Sequence, residues 1–319
     1  MKNSGAQGLF IGLFVILTSL AHAEGKSLVE RLGFPPDAKL LIVHADDVGL
    51  AHNVNTATLE AMTKGWVSSA SIMAPCPWFP EAVALAEANP RLDFGVHLTL
   101  NAEWRYYRWG PVAPLAQVRG LADRHGFLWH SYLEGLGRGT AQEVETEIRA
   151  QIRRAVDFGI RPTHIDSHMG TLFMESGYFA AYRKVAHEFQ LPYLLPRPTA
   201  NLLEKLDPRQ RVVSNGLFKE IEASDDIVID HLITGIDASP EKRLQAYVDL
   251  MKQVKPGVTE LIIHCGEDCD ELRAITNSWA QRVADKRAFT DPFVKKAIDE
   301  AGVKLIGWDA IRKLQYGHK

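Results

Sequence analysis

Lys39-Leu40-Leu41-Ile42-Val43-His44-Ala45-Asp46-Asp47 is the stretch that decides the fold. Its apolar run is too short for a helix and ends at charged residues, which is typical of a strand buried on both faces. Two adjacent carboxylates at the end of such a strand repel each other and lose hydration unless a cation compensates for both costs. Three partners fit the pattern: a metal ion, a Lys or Arg side chain, or the N-terminus of a following helix near residues 51–64.

The composition indicates an ordinary globular protein. The 319 residues are 46% hydrophobic and 24% charged, which suits one large domain or two smaller ones. The formal net charge of -3 provides no basic stripe, so we predict no nucleic-acid partner. Of the three cysteines, Cys265 and Cys269 are close enough in sequence to pair, but they do not identify a function. The oligomeric state stays open, with a homo-oligomer among the alternatives.

Residues 1–23 differ from the rest of the chain. A lysine precedes a short apolar run, and Ala21-His22-Ala23 has the small-x-small form of a signal-peptidase site. We therefore predict a signal peptide over residues 1–23, a single domain over residues 24–319, and an exported protein. The run is short for a membrane span, so no stable span is expected after cleavage; an uncleaved anchor is the alternative.

A second strand, Asp93–Leu100, places a histidine among small side chains. Gly95, His97 and Thr99 share one face of this strand, while its aromatic and aliphatic residues share the other. The small neighbours leave room around the imidazole of His97. A hydrogen-bonded structural histidine is the alternative interpretation.

A third motif, His164-Ile165-Asp166-Ser167-His168, concentrates polar groups on one face. In an extended chain His164, Asp166 and His168 point to the same side. Two imidazoles and a carboxylate are costly in a dry core without a partner, and a metal site supplies one. The carboxylate of Asp166 is then available to orient a ligand imidazole from behind.

Strand and helix signals alternate along the chain. Thr140-Ala141-Gln142-Glu143 has the spacing of a capping box, and Val144, Ile148, Ile152 and Val156 follow at four-residue intervals. Thr259–His264 repeats the opening pattern, an apolar strand with a titratable side chain at its end. Parallel α/β sheets and barrels build active sites at the C-terminal ends of their strands. The pattern therefore favours one α/β domain.

The segment Trp104–Gly137 is irregular and rich in aromatic residues, glycine and proline. It is long for a connection, which favours a functional loop. Its aromatic side chains suit stacking on sugar rings, and ordinary packing against the rest of the fold is the alternative.

The motifs together resemble the YdjC-like carbohydrate deacetylases, a family that includes bacterial chitooligosaccharide deacetylases. The resemblance spans residues 39–311 and rests on four motifs in order: Ala45-Asp46-Asp47-Val48-Gly49, Gly95-Val96-His97-Leu98-Thr99-Leu100, Pro162-Thr163-His164-Ile165-Asp166-Ser167-His168, and Glu260-Leu261-Ile262-Ile263-His264-Cys265-Gly266. It implies a distorted (β/α) barrel, TIM-barrel-like and single-domain, that holds one divalent metal ion, magnesium or zinc.

The resemblance also implies a role for each polar residue. Asp47, His97 and His168 would be the metal ligands, Asp46 the general base and His264 the general acid. Four further residues would support the ligands or contact the substrate: His164, Asp166, Thr99 and Arg282. Adjacent side chains at a strand end diverge, so Asp46 is expected to stay off the metal and beside the attacking water.

The chain departs from the family pattern at three places. Met169-Gly170-Thr171 follows His168 where the family usually has further histidines, Cys265 replaces a proline after His264, and Val48 replaces an aromatic residue. None of these positions is an expected metal ligand. Cys265 should point away from His264 in an extended strand, which argues against a Cys-His hydrolase.

Three functions remain as hypotheses. The first is metal-dependent N-deacetylation of an acetylated amino sugar or oligosaccharide. The second is metal-dependent hydrolysis of an ester or phosphoester on the same scaffold. The third is a non-catalytic sugar-binding relative, against which the intact set of five site residues argues: Asp46, Asp47, His97, His168 and His264.

Overall fold

Strand β1, Lys39–Val48, lies at the centre of a seven-stranded sheet and is buried along almost its whole length. The computed structural model describes residues 25–135, 137–198, 204, 224 and 226–317. The predicted signal peptide, residues 1–23, lies outside the described residues.

The sheet is parallel throughout. Its strands are β1 Lys39–Val48, β2 Ser69–Ile72, β3 Phe94–Leu98, β4 Ile165–Ser167, β5 His231–Ile233, β6 Gly257–His264 and β7 Val303–Leu305. They lie in the order β4-β3-β2-β1-β6-β5, and β7 pairs with the start of β1. The register places Asp46 of β1 opposite His264 of β6, so two of the motifs meet at the C-terminal ends of these neighbouring strands.

The sheet curls toward closure beyond β4. Ile165 forms a parallel bridge with Tyr193, and Pro196 forms another with Ile229, just before β5. Helices cover the outside of this irregular barrel wall. The predicted α/β, TIM-barrel-like architecture is confirmed.

The helices connect successive strands. Their bounds are α1 Leu28–Arg31, α2 His52–Thr63, α3 Phe79–Ala88, α4 Tyr132–Gly135, α5 Ala141–Asp157, α6 Ser176–Phe189, α7 Arg243–Met251, α8 Asp270–Ile275, α9 Trp279–Thr290, α10 Pro292–Glu300 and α11 Trp308–Tyr316. No helix within the described ranges is long and apolar enough to cross a bilayer.

Helix α5 begins at the predicted capping box, but the last residue of its predicted buried face is exposed. Thr140 and Glu143 form the capping box, and Val144, Ile148 and Ile152 are fully buried. Val156 is 45% exposed, contrary to the four-residue pattern. Four residues turn a helix by slightly more than one revolution, so a stripe at that interval gradually rotates out of the core.

The three cysteines are free thiols, and Cys265 and Cys269 do not pair. Cys269 instead precedes α8, where its sulfur accepts a hydrogen bond from the backbone N–H of Leu272. Cys265 is fully buried behind the strand end that carries His264.

Candidate metal centre and active site

The C-terminal ends of β1, β3, β4 and β6 bring the predicted site residues into one cluster. Asp46 and Asp47 lie at the end of β1, His97 in β3, His168 directly after β4, and His264 at the end of β6. Parallel strands present their C-terminal ends on the same side of the sheet, so residues far apart in sequence meet there.

Three atoms converge as ligands of one ion would. The Nε2 atom of His97 is 3.1 Å from Nδ1 of His168. Oδ1 of Asp47 is 3.4 Å from Nε2 of His97 and 3.3 Å from Nδ1 of His168. Ligands that each lie about 2.0–2.2 Å from a cation are separated by about 3.0–3.5 Å, so the three atoms fit a single ion.

The nearest polar neighbours of Asp47 Oδ1 in the described part of the chain are the imidazole nitrogens of His97 and His168. This oxygen is buried and makes no well-formed hydrogen bond there, although the two nitrogens approach it. A buried carboxylate oxygen of this kind is stabilised by a cation, and a metal ion supplies one when both imidazoles are neutral. The residues therefore fit a divalent metal held by Asp47, His97 and His168.

Each ligand histidine has a carboxylate behind it. His97 Nδ1 is 2.8 Å from Oδ1 of Asp166, and His168 Nε2 is 3.0 Å from Oε2 of Glu103. Such partners fix the tautomer and the plane of a metal-binding imidazole. Asp166 has the position that the sequence predicted, whereas Glu103 was not among the predicted residues.

Asp47 adopts a backbone conformation that the sequence did not reveal. Its φ is 71°, in the left-handed region that Asp tolerates better than most residues. This turn breaks the alternation of β1, so both carboxylates face His97: Oδ2 of Asp46 is 3.8 Å from its Nε2. The expectation that the two side chains diverge is therefore wrong.

Arg282 neutralises the second oxygen of Asp47. Its Nη2 donates to Oδ2 of Asp47 at 2.6 Å, and both side chains are buried. Burial alone would raise the pKa of Asp47, but the charge of Arg282 and the close approach of the His168 and His97 imidazoles hold that pKa well below its usual range. Asp47 is thus ionised and has one oxygen available for a metal.

Asp46 stands between the ligands and His264. Its Oδ2 is 3.9 Å from Nε2 of His264, while its Oδ1 is 3.3 Å from Nε2 of His44. The side chain is nearly buried. One carboxylate oxygen therefore faces the space between His97 and His264, where a reacting water and substrate would lie.

His44 is a buried cation that the sequence analysis missed. Its Nε2 lies 2.9 Å from Oδ2 of Asp166, and its Nδ1 is 4.0 Å from Oε1 of Glu260. Burial opposes the imidazolium, but contacts with Asp166 and Asp46 and the charge of Glu260 raise the pKa of His44 to about 10. Its position inside the apolar run of β1 gave no periodic signal.

His164 and Thr99 occupy positions away from the three ligand atoms. His164 stacks on Trp308 at 5.0 Å, and its Nδ1 is 2.9 Å from the hydroxyl of Thr163. A side chain at Gly95 would collide with this ring, which explains the glycine. Thr99 donates its hydroxyl to the backbone carbonyl of His97, so it supports the ligand strand and not the imidazole.

His264 is the accessible imidazole of the cluster. Its side chain is 38% exposed, and its backbone N–H donates to Oδ2 of Asp285. The other oxygen of Asp285 accepts hydrogen bonds from Arg243 and Tyr247 of α7. Helix α7 and Asp285, which lies in α9, therefore fix the strand end from which His264 projects.

Aromatic rings from the irregular segment line the same region. Trp109 packs near His168, with ring centroids 6.5 Å apart, and Trp104 lies 5.9 Å from the guanidinium of Arg282. These two tryptophans also contact each other edge to face. The ordinary-packing interpretation holds for Trp109, which is buried, while Trp104 is only partly buried.

The sequence of this chain is similar to those of known proteins. The YdjC-like protein family matches residues 40–300. The chain belongs to the YdjC-like family.

Individual relatives of this YdjC-like protein match it over most of their lengths. A carbohydrate deacetylase of Thermus thermophilus is 31% identical over 290 residues, covering 90% of this chain and 98% of the relative. A chitooligosaccharide deacetylase of Yersinia enterocolitica is 28% identical, covering 84% and 97%. A crystal structure from Enterococcus faecalis, described as a candidate cellobiose-phosphate cleavage protein, superposes with a TM-score of 0.72 at 25% identity, covering 86% and 99%.

We expect divalent metal binding to release protons at pH 7. Burial disfavours charge on both ligand imidazoles, yet the charges of Asp166 and Asp46 raise the pKa of His97 well above its usual range. The charge of Glu103 and the nearby carboxylate of Asp47 raise the pKa of His168 to about 9. Only neutral imidazoles bind metal, so affinity should fall as the pH is lowered.

Calorimetric titration in buffers of different ionisation enthalpy counts these protons. A heat that does not depend on the buffer would show that His97 and His168 are not protonated before the metal binds.

Proposed function

We propose that this YdjC-like protein is a metal-dependent hydrolase that removes the N-acetyl group from an amino sugar or oligosaccharide. The observation that carries the proposal is the convergence of Asp47, His97 and His168, with Asp46 and His264 on either side of the same space. The names of the relatives, carbohydrate and chitooligosaccharide deacetylases, support the substrate class.

The proposed chemistry divides between the metal and the protein. When bound, a divalent ion, magnesium or zinc, supplies a Lewis acid that polarises the acyl carbonyl and makes water more acidic. Asp47 Oδ1, His97 Nε2 and His168 Nδ1 would hold it. Asp166 and Glu103 keep the two imidazoles in the orientation that this requires.

Asp46 acts as the general base. Its Oδ2 faces the space between His97 and His264, so it can take the proton of a water that attacks the acetyl carbon. The imidazolium of His44 lies at the opposite oxygen and keeps Asp46 in this orientation.

His264 acts as the general acid. It lies across from Asp46 and is exposed enough to reach the nitrogen of a bound amide. Protonation of that nitrogen lets the amine leave as acetate forms. The exported location predicted from residues 1–23 would place this reaction outside the cytoplasm, where the acetylated substrate would be met.

Acetate release from N-acetylglucosamine oligomers tests the proposed function. We expect release to stop in the presence of a chelator and to return when magnesium or zinc is restored. Acetate that appears regardless of chelator would contradict the metal mechanism. Hydrolysis of an ester or phosphoester in place of the amide would favour a different hydrolase on the same fold.

We expect His44→Gln to lower kcat about 10- to 100-fold while one metal ion remains bound. The change removes the cation that contacts both Asp166 and Asp46, so the base loses its orientation. Steady-state kinetics and metal analysis check the result. His52→Gln is the matched control because His52 pairs with Glu81 on the surface. An unchanged kcat in His44→Gln would show that Asp46 does not depend on His44.

A further inference from the structure

An arginine-rich pocket of about 740 Å³ lies in the irregular segment between β3 and α5. Four arginines line it, Arg108, Arg119, Arg124 and Arg138, against a single carboxylate, that of Asp123. The whole chain has a net charge of -3, so this local excess of positive charge is opposite in sign to the rest of the protein.

Asp123 does not neutralise the pocket. Its Oδ1 accepts backbone hydrogen bonds from His125 and Phe127, and its Oδ2 pairs with Arg108 at 3.3 Å. No carboxylate of the described residues lies within ion-pair distance of the other three arginines: Arg119, Arg124 and Arg138. The carboxylate of Glu143 accepts hydrogen bonds from the backbone N–H groups of Gly120 and of Thr140, the N-cap residue of α5.

The pocket offers an oriented guanidinium beside an aromatic face. Arg138 stacks on Trp129 at 4.7 Å, and the indole N–H of Trp129 donates to the carbonyl of Gly120. Stacking holds the plane of the guanidinium and leaves its N–H edge available for bidentate contact with an anion. Arg108 is held in the wall of the pocket by Asp123, the carbonyl of Leu128 and His130.

Residues 102–103 link the pocket to the metal centre. Trp129 accepts a backbone hydrogen bond from Ala102, and His130 Nδ1 is 3.4 Å from the carbonyl of Glu103. The carboxylate of Glu103 contacts His168 on the other side. Glu103 therefore joins the two sites, with its carboxylate at the metal centre and its backbone carbonyl beside His130 of the pocket.

We propose that this pocket binds an anionic group, a carboxylate or a phosphate, carried by a carbohydrate whose N-acetylated residue lies at the metal centre. The proposal rests on the proposed function for the identity of the reacting group. It adds that the preferred substrate is an acidic oligosaccharide, in which the charge lies on a residue other than the acetylated one.

Kinetics with three substrates of equal length test the pocket: an N-acetylated oligosaccharide that contains a uronic acid, one that carries a phosphate ester, and neutral N-acetylchitooligosaccharide. In the double variant Arg124→Gln/Arg138→Gln we expect KM to rise about tenfold for an acidic substrate, with kcat nearly unchanged. KM for the neutral substrate should not change. The acidic substrate that responds identifies the anion as carboxylate or phosphate.

Arg105→Gln is the matched control, because Arg105 is exposed in the same segment, stacks on Tyr106 and does not line the pocket. It removes one positive charge and should leave all three KM values unchanged. Equal KM changes for neutral and acidic substrates, or none for either acidic substrate, would overturn the proposal.

Direct binding separates this proposal from the proposed function. Glucuronate and inorganic phosphate are titrated calorimetrically into the full-length wild-type protein and the double variant. Binding of either ligand that the double variant loses supports the pocket even if no substrate releases acetate, a result that would contradict only the deacetylase function. Equal binding to both proteins, or none to the wild type, contradicts the pocket.

Discussion

Replacing Asp46 with asparagine should lower kcat about 100- to 10,000-fold and leave the metal content at one ion per chain. The substitution keeps the size of the side chain and removes its ability to take a proton. The three ligand atoms, which belong to Asp47, His97 and His168, are untouched. Metal analysis of the purified variant together with steady-state acetate release checks both parts of the expectation.

Asp47→Asn is the natural comparison for this variant, since both substitutions are isosteric and lie one residue apart. Asp46 Oδ2 also approaches His97, so the structure offers a second group, Asp46, His97 and Asp166, with the spacing of ligands. If Asp46→Asn loses the metal while Asp47→Asn retains it, the roles of the two aspartates are reversed.

Asp47→Ala should abolish metal binding and lower the free energy of unfolding by about 3–5 kcal/mol. The variant loses a ligand and leaves Arg282 buried with its charge uncompensated. Alanine also tolerates the left-handed backbone at this position less well than aspartate does. Chemical denaturation of the metal-free proteins measures the loss of stability, and calorimetry measures the loss of metal binding.

The double variant Asp47→Ala/Arg282→Met separates the two effects. It removes the stranded guanidinium along with the carboxylate, so it should recover much of the lost stability and still bind no metal. Asp47→Ala with unchanged stability would show that the buried pair contributes little. Metal binding by either variant would show that Asp47 is not a ligand.

The parts of the fold that could be predicted were those with a strong local signal. The apolar run between Lys39 and Asp47 is too short for a helix, which indicates a buried strand. In the structure this strand lies at the centre of the sheet. The capping box at Thr140 and Glu143 is likewise a local pattern with a local cause, and it forms as predicted. Asp166 lies in β4, where its register partner is His97 of β3, and this pairing places the two side chains beside each other.

The residues that were missed depend on long-range packing. Glu103 follows β3 in an irregular segment, and long-range contacts such as those of residues 129–130 with residues 102–103 hold that segment beside His168. His44 lies within an apolar run of the sequence. The contact with Asp166, which belongs to another strand, is what favours its charged form. The left-handed turn at Asp47 has no sequence signal except the residue type.

A crystal structure of the protein grown with zinc, with anomalous data collected at the zinc edge, would locate the metal ion among its ligands. We expect one anomalous peak about 2.0–2.2 Å from Oδ1 of Asp47, Nε2 of His97 and Nδ1 of His168. A peak elsewhere, or no peak at this cluster under conditions where the protein binds zinc in solution, would contradict this assignment.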